Sequence, residues 1–321
     1  MKNNSRIGLW LLIPAWALAF AARVVQICAG TDMTSGFLKD DNGFFMDFCF
    51  WGAIVLTLAA AVAAAVLDRK KNNSAFYNTP VERITDGRAA AIGFALLLPG
   101  MAALYEGYCE AVIPESSNIS PSPFMVVVNF LFGAAMLVSA FMIMYFKEFK
   151  PGLGFSVVSG AGYYTLRGIG VFLEKMAVTT VPEYLINCMS VIFAAIFFMQ
   201  LAKFLSGNEG KRTREALTVS GAVAAVTILG NSIAVITASL AGPAEAASRI
   251  VTSENEAEML YQLAHGRDAY YMSYMPIPVT AAGIFIVVTL IALYMQPKSA
   301  AENIAEESGE PEALPDSADE E

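Results

Sequence analysis

Charged residues make up only 15% of this 321-residue chain, and histidine occurs once, at His265. Soluble globular domains carry about 25% charged residues, so a water-soluble globule is excluded. One histidine leaves His-based metal sites and Ser-His-Asp triads without material. The four cysteines, Cys28, Cys49, Cys109 and Cys188, include no close Cys-x-x-Cys pair. Plain packing, one disulfide and a metal or redox role all stay open for them. No P-loop and no His-Glu-x-x-His occur, and Gly152-x-Gly154 and Gly160-x-Gly162 lack a third glycine at the dinucleotide-binding spacing. No paired acids lie deep in an apolar run, so intramembrane aspartyl chemistry has no candidates. These absences point away from an enzyme and away from any cofactor. With no basic patch interleaved with aromatics, nucleic acid is not an expected partner.

What the chain has in quantity is apolar sequence: 56% of residues, with a mean hydropathy of +0.54. A helix crossing the hydrocarbon core needs about 20 mostly apolar residues. Eight stretches qualify: Ile7–Cys28, Phe48–Leu67, Ala89–Tyr108, Phe124–Phe146, Gly152–Phe172, Tyr184–Phe204, Ala216–Leu240 and Ile277–Met295. Their lengths and Ala/Leu/Val/Ile/Phe compositions fit helices, whereas barrel strands would show short alternating segments. The expected fold is therefore all-α and polytopic, with the lipid bilayer as principal partner. The basic start of the chain and Ala17-Leu18-Ala19 also fit a cleavable signal. The first run continues through Arg23 to Cys28 without a turn signal, which favours an uncleaved helix.

Orientation follows from lysine and arginine. With the N-terminus inside, every inner segment is basic, including Lys2 and Arg6, Arg69 to Arg88, Lys147 and Lys150, Lys211 to Arg214, and Lys298. The outer segments hold only Lys39, Lys175, Arg249 and Arg267. Both termini are thus expected in the cytoplasm, as an even number of spans requires. The net charge of −9 resides in the end of the chain, where nine acids follow Lys298. That gives a transmembrane domain over 1–297 and a disordered acidic cytoplasmic tail over 298–321.

Between spans, Asp40-Asp41-Asn42-Gly43 suggests a small outer hairpin within 30–47, and 68–88 forms a basic inner loop that anionic lipid attracts. In 241–276, Ser253-Glu254-Asn255-Glu256 fits a capping box that opens a short amphipathic helix. Tyr270, Tyr271 and Tyr274 then mark an interface belt, and His265 is a solvated loop residue. Arg23 and Arg167 each lie near the end of the first span of a half, Cys49 and Cys188 begin the next spans, and basic pairs follow those. The pattern suggests two parallel four-helix repeats, 1–150 and 151–297.

A charge in hydrocarbon costs about 2.5–3.5 kcal/mol on insertion scales, so Arg23 and Arg167 are the residues that most need explaining. Gln26 shares a face with Arg23. Tyr163 and Tyr164, four and three residues before Arg167, can cover its guanidinium. Glu106, with Tyr105 and Glu110, ends the third span at the same depth. Together with Asn231 of the seventh span, these residues outline an outer-facing polar pocket for a small anionic or zwitterionic solute, recognised by arginine. The competing reading makes both arginines structural, snorkelling to the interface or paired with Glu106 and Asp32. A transporter-like or solute-binding protein follows from the first reading. A non-catalytic scaffold or accessory subunit with a membrane-protein partner follows from the second. Pro14, Pro99-Gly100, Gly160-Ala161-Gly162 and Gly230-Asn231-Ser232 are places where helices break to bind solute or small residues let helices pack closely.

Arg23-Val24-Val25-Gln26 followed by Asp32-Met33-Thr34-Ser35-Gly36-Phe37, and the run from Arg167 through Glu183-Tyr184-Leu185 to Ala202, resemble uncharacterised multi-pass membrane proteins of anaerobic Gram-positive bacteria. The resemblance implies a bacterial cytoplasmic (inner) membrane as the setting and assigns no site.

Overall fold

A computed structural model describes residues 7–31, 39, 43–70, 86–112, 123–146, 151–175, 182–208, 210, 212–241, 268–269, 272–273 and 277–295. Among them the chain is almost entirely helical. The long helices are α1 (Ile7–Val25), α2 (Gly43–Lys70), α3 (Asp86–Val112), α4 (Pro123–Phe146), α5 (Pro151–Lys175), α6 (Pro182–Leu205), α7 (Thr213–Ala241) and α8 (Ile277–Tyr294). Before α8, β1 (Asp268–Ala269) pairs antiparallel with β2 (Met272–Ser273). Each helix overlays one of the eight apolar stretches. Seven of them are long and apolar enough to cross a membrane; α5 is not among these. It carries Arg167, Glu174 and Lys175 with six glycines and two tyrosines, which dilutes its apolar content. The protein is an all-α, multi-pass membrane protein.

Exposure agrees with that class. Trp10, Phe44, Phe155 and many other large apolar side chains face outward, an arrangement that water penalises and lipid accepts. Helix α7 is the exception: no exposed large apolar side chain occurs among its described residues. It packs against α1, α2, α6 and α8, while α3 packs on α4 and α8, and α5 on α4 and α6. The core therefore runs along α7 and continues through aromatic side chains. Tyr163 meets Tyr164 edge-on at 5.0 Å, Tyr164 stacks on Phe198 at 5.2 Å, and Phe198 stacks on Phe285 at 5.2 Å.

In lipid the hydrophobic effect does not drive helices together, so close packing must. Helix α3 supplies it with Gly93, Gly100 and Gly107, one glycine per heptad along the face toward α4. A Cβ at Gly107 would lie 3.0 Å from Asn129 Cβ, and one at Gly93 would collide with Met144 and the Ala140 carbonyl. Gly154 and Gly160 do the same for α5 on α6, the latter against the Phe198 ring. Small-residue packing thus accounts for Gly100 and Gly160. Pro14, Pro99 and Gly230-Asn231 all lie inside uninterrupted α-helices, so of the two readings the helix break is not seen there. Buried hydroxyls, such as Thr57, Ser139 and Thr227, bond back to the carbonyl four residues earlier, which satisfies them without a partner helix.

Helix α2 begins at Gly43, earlier than its apolar run; Asp40 to Asn42 of the expected hairpin lie outside the described residues. The approach to it is pinned by Lys39 N–H donating to Gly30 O (2.9 Å) and Gly43 N–H to Lys39 O (2.8 Å). Asp32 to Phe37, the basic connection over 71–85, the helix expected after Ser253, Tyr270, Tyr271, Tyr274, His265 and the acidic tail lie outside the described residues.

Candidate functional site: two buried arginine clusters

The buried charged and amide side chains lie in the C-terminal halves of α3, α5 and α7, near the starts of α4 and α6, and at the end of α1. There the α1 backbone changes winding: Gln26–Gly30 forms a single π-helical turn after Val25. Such turns insert one residue and are frequent at functional sites. At the start of this turn Gln26 lies beside Arg23, three residues earlier, whose guanidinium donates to Gln26 Oε1 at 2.6 Å. Thr31 Oγ1 donates to the Gln26 carbonyl at 3.2 Å, which helps close the turn. Gly30 allows it to abut α2, since a Cβ there would lie 2.7 Å from Met46 Cβ.

From Gln26 the bonds run in both directions. Its Nε2 donates to Asp47 Oδ1 of α2 at 2.7 Å. On the other side, Arg23 donates to Asn231 Oδ1 of α7 at 3.1 Å, and Asn231 Nδ2 donates to Asn187 Oδ1 of α6 at 2.7 Å. The Phe50 ring lies under the Arg23 guanidinium, 4.8 Å from its centroid. Arg23 and Gln26 are each only 1% exposed, whereas Asp47 is half-buried. Four helices therefore meet through one chain of polar groups, Asp47–Gln26–Arg23–Asn231–Asn187.

The second cluster joins α3 to α5. Arg167 meets Glu106 through two parallel bonds, 2.5 Å to Oε2 and 2.7 Å to Oε1. This is the fork geometry for which guanidinium is suited. Tyr163 completes it, donating to Glu106 Oε2 at 3.1 Å and accepting from Arg167 at 3.0 Å. Beside it, Asn129 Nδ2 of α4 donates to Glu110 Oε2 at 3.0 Å. Asn129 Oδ1 is buried without a hydrogen-bond partner among the described residues.

The seven sequence candidates thus separate into two bonded groups: Arg23, Gln26 and Asn231 in one; Glu106, Tyr163 and Arg167 in the other. Tyr164 belongs to neither. Its hydroxyl donates to the Pro278 carbonyl of α8 at 2.9 Å, and its ring stacks on Phe198, so it does not cover Arg167. Glu106 pairs with Arg167 as the structural reading expected; Asp32 lies outside the described residues. Sequence reasoning missed Asp47, Asn187 and Asn129. The available signal was an amide or acid a few residues into an apolar helix, which is costly unless bonded.

All four cysteines are free thiols, Cys28 and Cys49 exposed, Cys109 and Cys188 buried. Among the described residues no three His, Cys, Asp or Glu side chains gather as metal ligands would. No family model matches the chain, and no curated protein or solved structure matches it either. Among the described residues the two clusters offer charge pairing and hydrogen bonding.

Proposed function

We propose that the chain is an eight-span protein of the bacterial cytoplasmic membrane, with both termini inside, that binds and carries a small anionic or zwitterionic solute in its outer half. The observation that carries this reading is the π-helical turn beside buried Arg23. A helix irregularity next to a buried cation, on a helix packed against the central α7, is the kind of feature membrane proteins use to present groups to solutes. Supporting the eighth crossing is the Glu106–Arg167 pair: neutralising Arg167 within the bundle lowers what α5 loses by entering lipid. The basic inner segments support the orientation. The resemblance to membrane proteins of Gram-positive bacteria supports the setting. A two-fold repeat fits the bonding pattern, because Arg23 of α1 reaches α7 while Arg167 of α5 reaches α3.

A division of labour follows. Arg23 contacts the solute's negative group, and Arg167 locks α3 to α5. The test is a thermal-shift screen of purified protein with small carboxylates, phosphate and amino acids. Arg23→Lys should abolish a stabilisation seen with wild type while leaving folded yield unchanged; a shift insensitive to Arg23 would refute the assignment. The scaffold reading is favoured by one observation, the satisfied Arg167–Glu106 fork. It predicts a stable protein partner co-purifying in mild detergent.

A further inference from the structure

The Gln26 amide lies between opposite charges and shows each the matching atom. Its carbonyl oxygen accepts from the Arg23 guanidinium at 2.6 Å, and its N–H donates to the Asp47 carboxylate at 2.7 Å. We infer that Gln26 holds the place of a zwitterion, and that the solute is a small molecule with an ammonium beside a carboxylate, of the α-amino acid class. This rests on the reading of the Arg23 cluster as a solute site.

Charge decides between solute classes. A simple anion bonded to Arg23 would bring its charge toward Asp47, and a simple amine at Asp47 would bring its charge toward Arg23; like charges so placed oppose binding. A zwitterion satisfies both groups at once. It also exchanges two bonds to a neutral amide for two pairings of opposite full charges. In an α-amino acid the two functions sit on neighbouring carbons, so one molecule reaches both residues as the side-chain amide does. Entry is from the Asp47 side, the half-buried end of the chain of groups; Arg23 is enclosed behind it. Asn231 and Asn187 continue the hydrogen-bonded path beyond Arg23 and hold the guanidinium in place. Gln26 is the member the solute would displace, and its unbranched side chain has rotamers that leave the α1 backbone in place.

The experiment uses the full chain in lipid nanodiscs and reads thermal stabilisation. The probes are the proteinogenic α-amino acids, each compared with its des-amino acid and with the amine left by decarboxylation. At least one amino acid should bind roughly tenfold or more tightly than both of its counterparts. Gln26→Ala removes the internal competitor, so the same amino acid should stabilise that variant more than wild type and restore its lost melting temperature. Asp47→Asn should cancel the need for the amine, bringing the des-amino acid level with the amino acid. If des-amino acids stabilise wild type as well as amino acids do, the zwitterion inference fails and the solute reading survives. If no compound of the three sets stabilises wild type, both fail.

Discussion

Glu106→Gln removes one charge from a pair that water does not reach. Both partners are almost fully enclosed, and the carboxylate takes two guanidinium bonds, at 2.5 and 2.7 Å, plus the Tyr163 hydroxyl at 3.1 Å. Bonds to charged groups are worth about 1.5–3 kcal/mol each, so the two guanidinium bonds amount to about 3–6 kcal/mol. Stranding one partner of a buried pair costs about 3–5 kcal/mol by an independent route, which agrees. Glu106→Gln should therefore lose about 3–5 kcal/mol, read as unfolding by denaturing detergent in mixed micelles. Arg167→Met should lose a similar amount, because it leaves the carboxylate stranded. The double variant should be more stable than either single one, with neither charge left to strand. The cycle should then show a coupling of about 2 kcal/mol or more. Single losses under about 1 kcal/mol, the range of exposed pairs, or additive losses in the double variant, would refute the claim that this pair locks α3 to α5.

Tyr163→Phe removes a hydroxyl that both donates to Glu106 and accepts from Arg167, and should cost about 1–3 kcal/mol in the same unfolding assay. Tyr164→Phe should leave the Glu106–Arg167 coupling unchanged, because its hydroxyl bonds only to the Pro278 carbonyl among the described contacts. Gly154→Ala forces a methyl to within 2.6 Å of the Ala202 carbonyl and should destabilise by about 1–3 kcal/mol, since backbone cannot step aside. Gly52→Ala, where nothing lies within 4 Å, should be neutral or stabilising by up to about 1 kcal/mol; equal effects at the two glycines would show that α5 and α6 are not packed as described.

The helices were legible because each long apolar run must satisfy its own backbone in lipid, which leaves little choice of structure. Boundaries were less so. Gly43 to Asp47 are helical although they fall before the apolar run, because the Gly30 contact and the Lys39 bridge seat the start of α2 against the end of α1. That misplacement hid Asp47, and with it the acidic end of the Arg23 cluster. The arginines announced themselves by the cost of burial, and Glu106 and Tyr163 by depth and helical spacing. The separation into two clusters was not legible, because periodicity says which face a residue occupies and nothing about which helix that face meets. Pro99 and Gly230 show the converse limit: helix-breaking residues mark a break only where neighbours cannot re-satisfy the backbone, and here α3 and α7 run on unbroken.

The proposed topology depends most on α5 crossing the membrane with the other seven helices, since only then does the Glu106–Arg167 pair join two membrane-spanning helices. Lys39 and Asn208 are both exposed, one before α2 and the other between α6 and α7. With eight crossings they lie on opposite sides; if α5 does not cross, they lie on the same side. Single cysteines at these two positions, in a chain whose four native cysteines are replaced, can be labelled in intact cells with a membrane-impermeant maleimide. Labelling of Lys39→Cys before permeabilisation and of Asn208→Cys only after it is the predicted result; labelling of both in intact cells would contradict the account.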